Sequence, residues 1–359
     1  MQRNLRAAAT AAGLALCACA QAQSASNVTL YGIIDQSIRY TNHVDDGGGS
    51  KLQLANGAIT NSRFGLKGDE DLGDGSRAVF RLENGFDPQT GMANQNGRLF
   101  GRYAYVGLSN DRWGTLTAGR QGAESFNFFG EFDPLTVGNY MGNSWPFLIT
   151  VGRLDNLLTY AGKFGGLNLG LTYGFGNQFG SMRRGSYWGA RASYDAGPLS
   201  FGGTYQEMRD PDDRAQRMWG LGARYALDAA RLFVGYMGGR DASGFVDSLL
   251  NAPTRTVAQG SPGANPRKDM TLYTGLTYQA TPRLALTGAY YYSDAKNING
   301  FEGNRGKRHA AVLLAEYSLS KRTQVYGTVD FNRTSGGANA EMPGKNNQTG
   351  LGVGLRHIF

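Results

Sequence analysis

The chain has 359 residues, rich in glycine (54), tyrosine (19) and phenylalanine (18), with 18% charged residues and a formal net charge of +8. Both cysteines, Cys17 and Cys19, precede residue 23, so disulfide and cysteine–metal chemistry are excluded from the rest of the chain. The basic residues are dispersed, with few adjacent pairs such as Arg183-Arg184 and Arg267-Lys268, which speaks against the clustered footprint of a nucleic-acid binder.

In chain order, the first element is a leader. Met1–Arg6 is a basic n-region, Ala7–Ala18 an apolar h-region, and Ala20-Gln21-Ala22 an A-x-A cleavage site. The expectation is a signal peptide over 1–22 and one domain over 23–359. Past the leader no stretch is long and apolar enough for a spanning helix. A secreted chain of that kind can still cross a membrane as a closed barrel.

The rest of the chain has a rhythm of sixteen alternating segments. They are Val28–Tyr40, Asn61–Glu70, Ser76–Phe86, Arg98–Leu108, Trp113–Arg120, Val151–Lys163, Leu167–Phe175, Tyr187–Tyr194, Leu199–Met208, Arg217–Leu227, Arg231–Arg240, Met270–Gln279, Leu284–Ser293, Arg308–Leu319, Thr323–Asn332 and Gly350–Phe359. Their connections are by turns long and short. This pattern predicts an all-β fold: a 16-stranded antiparallel transmembrane β-barrel with short periplasmic turns and long extracellular loops. One face of each segment is apolar, as in Leu167/Leu169/Leu171/Tyr173 and Leu284/Leu286/Tyr290/Tyr292. Many opposite faces are Ser, Thr, Gly, Asn and Arg, too polar for a dry core.

The polar faces of the early segments carry the candidate chemistry. Arg63, Gly65 and Lys67 share one face, Arg77, Arg81 and Glu83 the next, Arg98 and Arg102 alternate inward with Ala104, and Arg153 and Asp155 share a further face. Arginine facing lipid at the midplane is costly, so these side chains are expected in the lumen, where a fixed positive charge favours anions. The third loop, about Gln121 to Thr150, holds Glu124, Glu131 and Asp133 among six aromatics: Phe126, Phe128, Phe129, Phe132, Trp145 and Phe147. So many aromatics need a surface to cover them. The expectation is a loop folded into the barrel, narrowing the pore and setting its acids across from the arginines. The last segment alternates up to the terminal aromatic Phe359 and is expected to close the barrel against the first.

These segments resemble a known family. Val28-Thr29-Leu30-Tyr31-Gly32-Ile33-Ile34-Asp35, Ser62-Arg63-Phe64-Gly65-Leu66-Lys67-Gly68-Asp69-Glu70-Asp71-Leu72-Gly73, Tyr105-Val106-Gly107-Leu108, Gly119-Arg120-Gln121, Asp155-Asn156 before Tyr160, Leu319-Ser320-Lys321-Arg322-Thr323 and Gly352–Phe359 resemble the general diffusion porins of Gram-negative outer membranes, of the neisserial and burkholderial type. The resemblance implies an outer-membrane location, a homotrimer and a third loop folded into the pore. It implies a water-filled channel through which ions and small hydrophilic solutes diffuse. It places Arg63, Arg102 and Arg153 at the constriction, matches Glu131 and Asp133 only loosely, and makes Phe359 the signal read by the barrel-assembly machinery. The alternative is a substrate-specific channel with a dedicated binding track; the inward aromatics Tyr31, Tyr273 and Tyr326 form no obvious file.

Other chemistry has little support in the sequence. His43, His309 and His357 have no convergent Ser or Asp motif, so no catalytic residues are expected. Gly47-Gly48-Gly49 and Gly336-Gly337 lack a phosphate-binding context. Asp45-Asp46 and Asp210–Asp213 read as solvated loop charge, so no metal or cofactor is expected. Basic residues at the outer rim, including Arg183-Arg184 and Arg267-Lys268, are candidates to neutralise the phosphates of lipopolysaccharide.

Overall fold

The computed structural model describes residues 27–138, 145–261 and 263–359. The expected leader and both cysteines lie outside the described residues. The described residues hold seventeen strands in one antiparallel sheet. They are β1 (Asn27–Thr41), β2 (Lys51–Asn56), β3 (Arg63–Gly73), β4 (Ser76–Gly85), β5 (Tyr103–Asn110), β6 (Gly114–Gly122), β7 (Arg153–Phe164), β8 (Leu167–Gly174), β9 (Tyr187–Ala196), β10 (Leu199–Arg209), β11 (Ala215–Leu227), β12 (Ala230–Asp241), β13 (Arg267–Thr281), β14 (Leu284–Lys296), β15 (Arg305–Ser318), β16 (Thr323–Gly336) and β17 (Asn347–Ile358).

The sheet closes on itself. β17 occupies one edge of β1, from Ile33 opposite Ile358 to Thr41 opposite Gly350. The other edge is shared: β3 pairs with Asn27–Ile33 and β2 with Gln36–Thr41. The barrel therefore has sixteen staves, the second built from two strands in tandem. The first loop, expected to be irregular from Thr41 to about Thr60, contains β2. The break falls at residues 57–62, which fold around Asp35. Its carboxylate accepts from the Thr60 amide (3.1 Å) and the Tyr326 hydroxyl (2.6 Å) and fills the space where a Gly57 side chain would stand.

Period-two alternation decides which way each side chain faces. Leu221, Leu313, Val329, Leu351 and Val353 are exposed on the outside, with Leu313 at 65% and Val353 at 68%. Thr117, Thr159, Thr172, Ser193, Thr204 and Thr271 turn inward and are buried. An apolar belt of this extent is stable only against lipid. A sixteen-stranded barrel is also too wide for its own side chains to fill, and keeps an aqueous lumen.

Two loops enter that lumen. The third loop contributes helix α1 (Glu124–Phe132) and a 3₁₀ turn, Trp145–Thr150. Phe128, Phe129, Phe132, Trp145 and Phe147 form one buried cluster with Met218, Met237, Tyr273 and Tyr291 of the far wall. The wall makes room with glycines at inward positions. A Cβ on Gly222 would lie 2.8 Å from Phe132, one on Gly275 would lie 2.5 Å from Pro134, and one on Gly220 would collide with Phe129. The sixth loop contributes helix α2 (Phe245–Leu250). Its Asp247 bonds Arg267 at 2.6 Å, and Arg267 also holds Glu341 at 2.8 Å, tying the sixth and eighth loops together across the mouth. Arg267 is thus buried in an ion network, and of the expected rim pair only Lys268 faces out.

Candidate functional site

Between the early strands and the third loop lies a cavity of about 700 Å³. Arg63 of β3, Arg102 before β5 and Arg153 at the start of β7 line one side. Arg102 and Arg63 are held at one carboxylate, Glu83 of β4, which is fully buried. Arg102 Nε donates to Glu83 at 2.5 Å, Arg81 Nη2 donates at 2.5 Å, and Arg63 Nη1 stands 4.0 Å away. The Tyr31 hydroxyl donates to Glu83 at 2.7 Å and accepts from Arg81 Nε at 2.7 Å. Aromatic faces stack the guanidinium groups: Arg81 lies 4.2 Å and Arg153 5.4 Å from the Tyr103 ring centre, and Arg153 4.9 Å from Phe126. Lys67, opposite Arg81 in the ladder, lies 5.5 Å from the Tyr31 ring.

Three arginines contact this single acid, and Lys67 and Arg153 stand on the neighbouring rings, so the cluster carries an excess of four positive charges. Glu83 orders the arginines and does not neutralise them. The buried Nε atoms of Arg63 and Arg153 have no hydrogen-bond partner. Those two guanidinium groups are left with their charge directed at the cavity.

The third loop folds inward as expected, but its acids do not face the arginines. Asp133 is 1% exposed and anchors the loop to the wall, accepting from the Tyr291 hydroxyl (2.6 Å) and from the Val137 (2.8 Å) and Leu135 (3.2 Å) amides. Burial pushes its carboxyl up to about 7. Glu124 is buried against Thr172 (2.6 Å) and Arg191 (2.8 Å), and burial raises it too. Glu131 is more open, with 46% of its side chain exposed, but it pairs with Arg191 at 3.2 Å. Residues 139–144, outside the described set, contain no acid. The loop instead turns Phe126, Val137, Phe147 and Leu148 toward the arginines, joined by Phe245 and Leu249 of α2. The reason is energetic: the loop acids find donors on β8, β9 and β14, and the faces left over are apolar. The cavity is positive on one side and apolar on the other, without the expected opposing acids.

Three further expectations shift with the backbone. Val106 and Leu108 face lipid, so Ala104 faces out by alternation, and Arg102 reaches the lumen from the bend before β5 rather than from a strand. Asn156, at φ 57°, breaks the alternation of β7, and Asp155 is exposed with Arg98 (2.8 Å) and Arg120 (2.7 Å). Arg77 lies at the short-turn rim with Asp111 (2.7 Å). Tyr103 is a site residue that the sequence reading did not name, and Glu83 and Phe126 were named there without the ordering and stacking roles they have in the site.

Comparison with known proteins assigns the architecture. A sequence profile for the Gram-negative porins matches residues 7–337. The chain belongs to the Gram-negative porin family. It is 31% identical to an outer membrane porin protein of Bordetella pertussis, with all of each chain covered. It is 28% identical to outer membrane porin protein 32 of Delftia acidovorans, over 96% of this chain and 97% of that one. Its fold matches that of an anion-selective porin from Comamonas acidovorans with a TM-score of 0.75, at 26% identity and covering 93% of this chain and 100% of the other. This porin is an outer-membrane β-barrel channel, and the arginine-lined cavity lies between its third loop and its wall.

Proposed function

We propose that this porin is a passive diffusion channel that passes anions in preference to cations, selected at Arg63, Arg102 and Arg153 with Arg81 and Lys67 beneath them. The observation that carries this is the excess of four positive charges in the cluster built on Glu83 and its neighbouring rings, with no third-loop acid facing it among the described residues. A permeating anion exchanges part of its hydration for guanidinium donors, and a cation meets repulsion there. Glu131 and Asp133 act on the shape of the passage, through the loop, rather than on its charge. A dedicated solute track is the weaker reading, because Tyr273 and Tyr291 are spent on packing the third loop and Tyr326 on Asp35.

The test is liposome swelling with organic anions and cations of equal size. Faster entry of the anions supports the proposal; faster entry of the cations overturns it. The same reading includes cleavage of residues 1–22, assembly as a homotrimer, delivery by the barrel-assembly machinery through Phe359, and no enzymatic activity. Heat-modifiable mobility with chemical cross-linking tests barrel and trimer together, and the mass of the mature chain tests the cleavage site.

A further inference from the structure

The cavity at the arginines has a second wall that the passage of small inorganic ions leaves unused. It consists of Phe126, Val137 and Leu148 of the third loop and Phe245 and Leu249 of α2. Leu249 is 41% exposed and the other four are half-buried. Thr136 is the one polar side chain that these two loops add to the lining among the described residues. Wet apolar area is stabilised only when other apolar surface covers it, and chloride brings none. The wall is also held in place. Asp247 of α2 accepts from Arg267 at 2.6 Å and from the Asn299 amide at 3.0 Å, and the Val246 amide donates to Asp241 at 2.8 Å. A surface ordered before its ligand arrives loses less on binding.

The charged wall is open to a ligand in the same way. Arg153 is gripped by ring faces, 5.4 Å from the centre of Tyr103 and 4.9 Å from that of Phe126. Arg63 Nη1 stands 4.0 Å from Glu83, beyond hydrogen-bond reach. Among the described residues no hydrogen bond occupies the terminal nitrogens of either arginine. A guanidinium fork in that state can donate two parallel bonds to one carboxylate.

We propose that this cavity is a binding site for aromatic carboxylates, solutes charged at one end and apolar at the other. The carboxylate takes the guanidinium groups of Arg63 and Arg153, and the ring lies against α2 and the third loop. This deepens the anion-channel reading and rests on it. A ring fits better than an aliphatic chain, because Phe126, Phe147 and Phe245 of the lining are aromatic and engage a ring edge-to-face. Its face can also stack on a guanidinium group. A hydroxylated ring of the same charge would find only Thr136 to bond on that side and would leave its other hydroxyls unpaired. The volume of about 700 Å³ admits such a solute whole.

The test reads interruptions of the single-channel KCl current in planar bilayers at neutral pH, with three probes. Benzoate carries both features, quinate is a carboxylate on a six-membered ring that bears hydroxyls, and benzyl alcohol is the aromatic ring without the charge. Benzoate binds about tenfold more tightly than quinate, the gain from covering about half of one ring, and benzyl alcohol gives no interruptions. Phe245→Gln with Leu249→Gln brings the benzoate-to-quinate ratio close to one. Leu249→Gln alone, at an exposed position where folding is not at stake, lowers it about threefold. Arg63→Gln with Arg153→Gln weakens both acids and leaves their ratio in place, which separates the charged wall from the apolar one. Potassium preference in KCl alone would overturn the anion-channel reading. Chloride preference with equal binding of benzoate and quinate, interruption by benzyl alcohol as strong as by benzoate, or an unchanged ratio in the Leu249→Gln channel would overturn this inference by itself.

Discussion

Replacing Gly222 with leucine should release the third loop and widen the passage. A Cβ on Gly222 falls 2.8 Å from Phe132 Cβ and 2.9 Å from its Cγ. Carbon atoms prefer about 3.5–4.0 Å, so one methyl already displaces Phe132 by about 1 Å, and leucine adds three more carbons. A displaced Phe132 loses its stack on Phe128, at 4.6 Å, and its carbonyl's bond from the Tyr273 hydroxyl, at 3.2 Å. The adjacent Asp133–Tyr291 bond, at 2.6 Å, is strained with it. Burial of one phenylalanine is worth roughly 1.5–3 kcal/mol and each hydrogen bond about 1 kcal/mol. The loop therefore loses about 4 kcal/mol of anchoring, close to a thousandfold shift toward the released state. Single-channel conductance in planar bilayers should rise and become noisier, with heat-modifiable mobility showing that the barrel is intact. Adding Phe132→Ala to the same chain restores room and should recover part of the effect, as coupled neighbours do. A folded Gly222→Leu barrel with wild-type conductance and noise would refute the packing argument.

Three other outcomes rest on the same geometry. An ion about 7 Å from the Arg153 guanidinium feels roughly 0.6 kcal/mol in water, about half that after screening at 0.1 M salt. Reversal of the charge in Arg153→Glu acts on both ions in opposite directions, so the chloride-to-potassium permeability ratio should fall roughly sevenfold; an unchanged ratio counts against Arg153 as a selectivity residue. Burial raises Asp133 to about 7, above its ordinary value near 3.9, so the anchored loop prefers the protonated acid. That contribution is complete below about pH 4 and is lost as pH rises through about 7, roughly 4 kcal/mol in all. Channel noise should grow from pH 5 to pH 8 and lose this dependence in Asp133→Asn; a pH-independent wild type sinks the idea. The Phe359 amide and carbonyl pair with Gly32, each at 3.0 Å, and its ring occupies the space above Gly32. Deleting Phe359 should lower the amount of barrel in the membrane fraction while leaving the selectivity of assembled channels unchanged, and a normal yield would contradict it.

The barrel was legible because alternation is a local signal. Leu351, Val353 and Leu355 declare the orientation of β17 without reference to any other strand, and the short-then-long connections order the staves. The arginines were legible for the same reason, since Arg63, Arg81 and Arg153 have no tolerable place on a lipid face. The loops were not. Whether Asp133 faces water or Tyr291 depends on residues 158 positions apart, and an acid in a loop looks the same in sequence in either case. A usable signal was present in the wall, in the inward glycines Gly220, Gly222 and Gly275, which leave sockets for Phe129, Phe132 and Pro134. Phe245 and Leu249 of α2 were passed over because six helical residues give too short a period to stand out of a 28-residue loop. Reading Arg102 inward gave the right destination by the wrong route. The bend before β5 delivers it, and the alternation of that strand points the other way.

In the proposed channel an unopposed positive wall, and not an opposed pair of charged walls, sets selectivity. The zero-current potential of the wild-type channel across a KCl gradient tests this most directly. The potential should carry the sign of chloride preference at 0.1 M and shrink toward zero at 1 M, where the screening length falls to about 3 Å. A potential with the sign of potassium preference at low salt would contradict it.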